Sequence, residues 1–146
     1  MRWAPTFSLP LSNLAIGFRN LATAEAGTGR FCGALARCRD AMVAHPFLVA
    51  GTNRIDTDLM TACGGGVVSK VGAEGVIACG VPALGLGIAI KIDDGAARAY
   101  EALIVELLRR FEAAGETSLS KLASYRGTTL KNFSGITTGR VEVRLP

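Results

Sequence analysis

Apolar residues repeat at helical spacing through the first third of the chain and at alternate positions through its middle. Leu11, Leu14, Ala15, Phe18, Leu21 and Ala22 share one side of a 3.6-residue period, and Pro10 suits a first helical turn. The run Ala26-Gly27-Thr28-Gly29 ends that helix. A second helix puts Phe31, Leu35, Cys38 and Met42 on one stripe, with Arg37, Arg39 and Asp40 off it. His45-Pro46 stops it, because the residue before a proline is pushed out of the helical region. Residues 49–57 (VAGTNRIDT) read as a loop and 58–62 as a short helical turn.

The pattern then changes period. Gly64-Gly65-Gly66 breaks the chain, and strands are predicted over residues 67–72, 76–80 and 84–92, with a turn at 73–75. In the third strand Leu84, Leu86, Ile88, Ile90 and Ile92 point one way, while Gly85, Gly87 and Ala89 leave the other face almost bare. So small a face lets a helix pack very close, and the antiparallel meander is expected to be covered on both sides. Asp93-Asp94-Gly95 offers an N-cap to the next helix. That helix carries Tyr100, Leu103, Ile104, Leu107, Leu108 and Phe111 on its apolar stripe and ends at Gly115. A short helix over 119–125 and a polar tail from 129 complete the layout. One α+β domain over residues 1–146 results, an antiparallel sheet flanked by helices.

Composition narrows the partners. Hydrophobic residues make up 49% and charged residues 19% of 146, and the mean hydropathy is +0.34. Such a chain is globular, and part of its apolar surface is free to meet a partner. The net charge of +4 comes from scattered arginines without a basic block, which reads as a solvated surface and not as a nucleic-acid site. Pro5, Pro10 and Asn13 interrupt the apolar start, so it does not read as a secretory signal. Residues 75–90 are uncharged but contain Pro82 and four glycines, and are shorter than the roughly 18 a spanning helix needs. No membrane partner and a cytoplasmic location are expected. Cys32, Cys38, Cys63 and Cys79 form no Cys-x-x-Cys pair and read as small buried hydrophobes in a reducing compartment. His45 reads as a helix C-terminal partner.

Among candidate chemical groups Lys70 stands out, an amine inside the apolar run VVSKVG. Alternation puts Val67, Ser69 and Val71 on one face and Val68, Lys70 and Gly72 on the other. Gly72 then leaves space beside the amine, where lost solvation suits a lysine to proton transfer. The competing reading is a charge that protects a sheet edge. Ser118-x-x-Lys121 has the spacing of an activated serine but no oxyanion hole beside it. Asp56, Asp58, Asp93 and Asp94 are explained as caps or turns, and Arg54, Asp56 and Glu74 as turn or salt-bridge residues.

Several stretches, in order, resemble one family. APTFSLPLSNLA (4–15), AHPFLVAGTNRIDTDLM (44–60), VVSKVGAEGV (67–76), GLGIAIKIDDGAARA (85–99) and LKNFSGITTGRV (130–141) are similar to the rhizobial-type L-asparaginases, which have a serine β-lactamase-like fold. The resemblance covers nearly the whole chain but only the C-terminal half of the family's longer members. It implies deamidation of L-asparagine to L-aspartate and ammonia, with Lys70 at the position of the family's strand lysine. Val71 stands where threonine is usual, which removes a hydroxyl. The family's Ser-x-x-Lys pair and second serine belong to the N-terminal half. Its zinc is held by two cysteines and a lysine. One cysteine position falls where this chain has Arg2 and Trp3 and the others lie in the N-terminal half, so Cys32, Cys38, Cys63 and Cys79 inherit no metal role and no cofactor is expected here. The implied partners are the small-molecule substrate, an N-terminal half or a homo-oligomer, with one sheet edge and an apolar face left exposed. The alternative is a non-catalytic remnant or binding module that keeps the fold.

Overall fold

Three antiparallel strands, β1 (Val68–Val71), β2 (Val76–Val81) and β3 (Leu86–Lys91), lie in the order β1-β2-β3. The computed structural model that carries them describes residues 7–25, 29–127 and 129–145. The register pairs Lys70 with Ala78, Ser69 with Cys79, Ala78 with Ala89 and Gly80 with Gly87. One sheet face therefore presents Ser69, Val71, Ile77, Cys79, Val81, Ile88 and Ile90, and the other Val68, Lys70 and a strip of glycine and alanine.

Each face takes its own helices. The small-residue face receives α1 (Leu11–Thr23): a Cβ on Gly80 would overlap the Phe18 carbonyl oxygen and lie 2.6 Å from the Ala22 Cβ. The branched face packs on α5 (Ala97–Arg110), whose Tyr100, Ile104, Val105 and Leu108 join Ile77, Cys79, Ile88 and Ile90 in the main core. Ile55 and Leu59 of α4 (Ile55–Ala62), Leu119 of α6 (Glu116–Lys121) and Leu122 close that core. The fold is α+β with a small antiparallel sheet flanked by helices, as the pattern requires.

Several boundaries differ from the sequence reading. In α2 (Cys32–Ala44) the predicted stripe is only half right, since Leu35 and Met42 are partly buried but Phe31 and Cys38 are exposed. Ala36 is buried on this helix and Arg39 also turns inward, its guanidinium donating to the carbonyls of Ala22 (2.9 Å) and Ala24 (2.8 Å) at the end of α1. Those carbonyls have no helical partner of their own. α1 already ends at Thr23, and of the expected terminator Ala26-Gly27-Thr28-Gly29 only Gly29 falls among the described residues.

Pro46 ends α2 and also opens α3 (Pro46–Ala50), as a proline at the first helical position can. α4 starts at Ile55, three residues before the expected turn, so 49–57 is not one loop. Leu84 leaves the third strand for a 3-10 turn at Pro82–Leu84 and is 50% exposed. Asp94 accepts the Ala96 N–H (2.9 Å) and pairs with Arg98, but the cap position of α5 is Ala96. That helix ends at Arg110, where Glu112 takes φ 54° and Ala113 N–H reaches the Leu108 carbonyl, so Phe111 is half exposed and Gly115 leads into α6 instead.

The predicted helix over 119–125 is α6 followed by a 3-10 turn at Ala123–Tyr125. The polar tail contains a hairpin, β4 (Thr129–Lys131) and β5 (Thr137–Arg140). Its turn is built by Asn132, whose side-chain oxygen accepts the N–H groups of Ser134 and Ile136. No helix among the described residues is long and apolar enough to cross a membrane.

Candidate functional site

Lys70 lies on β1, an edge strand of the three-stranded sheet, on the face that meets α1. Its stem borders a shallow groove of about 160 Å³ lined by Leu14, Phe18, Gly72, Val76 and Ala78. The side chain is 46% exposed, so the amine is not the desolvated group the sequence pattern suggests. Nor does Gly72 leave the expected space, because a Cβ there would stand 3.3 Å from the Val76 Cβ. The amine turns along its own strand and donates to the Val71 carbonyl at 2.9 Å.

The group that organises this edge is Asp56, in the first turn of α4 and 1% exposed. A buried carboxylate requires donors on both oxygens. Oδ1 accepts the Ser69 hydroxyl at 2.5 Å. Oδ2 accepts the Val71 N–H at 2.8 Å and lies 3.7 Å from Lys70 Nζ. One carboxylate thus holds three consecutive residues of β1, and both main-chain polar groups of Val71 are taken by side chains. The sequence reading gives Asp56 a cap, turn or salt-bridge role; the ion pair with Lys70 is present, but the hydrogen bonds to Ser69 and Val71 go beyond that reading. A signal was available: alternation places Ser69 on the otherwise apolar core face, where a hydroxyl needs a buried acceptor.

The other candidates are not brought to this place. Ser118 donates to the Ala62 carbonyl at 2.8 Å, a joint between α6 and α4 and not an activated nucleophile. Asp58 accepts the Tyr125 hydroxyl at 2.5 Å, and burial together with that carboxylate pushes the Tyr125 phenol well above its ordinary value. Burial also raises the Glu101 carboxyl, opposed by the Arg54 charge. Glu74 occupies a left-handed position (φ 55°) in the turn between β1 and β2. His45 caps α2 through its backbone, its N–H meeting the Ala41 carbonyl.

The four thiols are free. Cys79 is a buried hydrophobe as expected, and burial pushes its thiol up. Cys38, in contrast, is exposed. Among the described residues no group of three or more His, Cys, Asp or Glu is arranged to hold a metal. Arg2 and Trp3 lie outside the described residues.

What the edge can do chemically follows from its parts. It presents one amine, held by a carbonyl and a buried carboxylate and open to solvent on one side, a group able to donate or accept a proton. The family model described as L-asparaginase II matches residues 3–143. No curated protein matches the chain.

Proposed function

Because the chain belongs to the L-asparaginase II family, whose members are asparaginase-type amidohydrolases, we propose that residues 1–146 act as the lysine-bearing half of an L-asparagine amidohydrolase. They would form the C-terminal part of a serine β-lactamase-like domain. In this reading the nucleophilic serine comes from residues outside these 146, in the same or a second chain. It attacks the side-chain amide carbon of L-asparagine, the C–N bond breaks, and ammonia leaves with a proton delivered through the lysine. Water then cleaves the acyl ester, and aspartate departs as the serine regains its proton.

The observation that carries the proposal is the fixed position of Lys70 Nζ at the edge strand β1, between the Val71 carbonyl and the Asp56 carboxylate. A group that must meet a reacting atom from another segment needs this edge location and a defined direction. Further support comes from uncovered apolar side chains: Phe7, Leu11 and Ile16 at α1 and Phe47 and Leu48 in α3 are exposed. They suit a covering segment or a second copy of the chain. The free thiols agree with a cytoplasmic setting.

The test is reconstitution. The chain is mixed or fused with an N-terminal half that carries Ser-x-x-Lys, and ammonia release from L-asparagine is followed. Release above that of either part alone supports the proposal. A folded, stable complex that releases none assigns the chain to the alternative, a non-catalytic module.

A further inference from the structure

We infer that Asp56 is a positioning residue for Lys70, a role that rests on the reading of Lys70 as the proton-transfer group. The carboxylate sits on α4, a different element from the lysine, and is 1% exposed. Its two oxygens are occupied by Ser69 and Val71, the residues on either side of Lys70. The backbone that carries the amine is therefore clamped before and after it. The remaining interaction of Oδ2 is with Lys70 Nζ itself, at 3.7 Å.

A buried negative charge with two neutral donors still favours a nearby cation, and Lys70 is within ion-pair distance. A lysine stem has four rotatable bonds and, at 46% exposure, space to wander. The Asp56 charge confines its end to the strand edge, beside the Val71 carbonyl. An edge-capping role alone needs two acceptor oxygens, one for Ser69 and one for Val71, and places no demand on Lys70. The charge is what the positioning role adds.

The experiment compares lysine acylation rates by a small amine-reactive ester, mapped by mass spectrometry at single-hit extent. Lys91, Lys121 and Lys131 serve as internal references. In Asp56→Asn, Lys70 is expected to react about twofold to fivefold faster, the range a half-exposed ion pair supports, with the references unchanged. An unchanged Lys70 rate in a folded Asp56→Asn chain overturns the inference.

Should that variant fail to fold, the unmodified chain is labelled at low and at about 1 M salt, where the Debye length shrinks to about 3 Å. Selective acceleration of Lys70 supports the inference, and a rate that tracks the references overturns it. In the reconstituted enzyme Asp56→Asn should lower kcat by about tenfold to a hundredfold with little change in KM. If Lys70→Ala leaves ammonia release intact, the functional reading fails, while the labelling result still decides whether Asp56 holds the amine.

Discussion

Gly87 of β3 lies directly beneath the Ala15 carbonyl of α1, so that a Cβ there would overlap this oxygen and stand 2.8 Å from the Arg19 amide nitrogen. Helix and sheet meet backbone to backbone. Gly87→Ala and Gly80→Ala should each force α1 off the sheet and cost about 3 kcal/mol or more in urea unfolding. Gly17→Ala, where an added Cβ meets nothing within 4 Å, should instead stabilise by about 0.5–1 kcal/mol, because alanine is the better helix former. A neutral Gly87→Ala would contradict the close packing.

Tyr125 and Asp58 link the end of the second helical layer to α4 across a 2.5 Å hydrogen bond. Removing the hydroxyl in Tyr125→Phe should cost about 1–2 kcal/mol, since Asp58 loses a short-range donor. Chemical denaturation of the pair of proteins measures it.

The same phenol makes stability fall in alkali. Burial, then the Asp58 carboxylate, raise Tyr125 above its ordinary 10.0, and burial raises Tyr100 as well. The folded chain thus holds these protons more tightly than the unfolded chain. Their contribution is intact below pH 10.0 and is lost as pH rises from there toward the folded-state values. Unfolding free energies between pH 8 and pH 11, with Tyr125→Phe showing a shallower decline, test this sign.

Thiol labelling should separate the cysteines. Cys38 is exposed and should react first with a disulfide reagent, whereas burial raises both Cys63 and Cys79 and withholds their thiolates. Cys79, fully buried in the core, should react only when the chain unfolds. Prompt reaction of Cys79 in the folded chain would show that the sheet core opens.

Local pattern made the centre of this fold legible and left its joints hidden. Alternation in Leu86, Ile88 and Ile90 located β3 and its buried face, and Gly87 with Ala89 announced the close helix. Those signals are intrinsic to consecutive residues. Arg39 looked like a solvent residue because its partners, the Ala22 and Ala24 carbonyls, belong to another helix. Pro46 was legible as a stop but not as a start, since a proline serves both. The hairpin at Thr129–Lys131 and Thr137–Arg140 escaped because threonine and glycine give no apolar alternation.

At the site, Lys70 was legible as a charge in an apolar run, but its surroundings were not. Asp56 lies 14 positions upstream and meets β1 only through the packing of α4. The hydroxyl of Ser69 on the core face was the one local hint of that buried carboxylate.

The most direct test of the central claim is ammonia release from L-asparagine by the reconstituted protein, compared between the native sequence and Lys70→Ala. Far-ultraviolet circular dichroism and unfolding curves must match for the two. A general acid–base group contributes about a hundredfold to ten-thousandfold, so Lys70→Ala should lose at least about a hundredfold in kcat. A Lys70→Ala chain that supports release at the native rate would contradict the account.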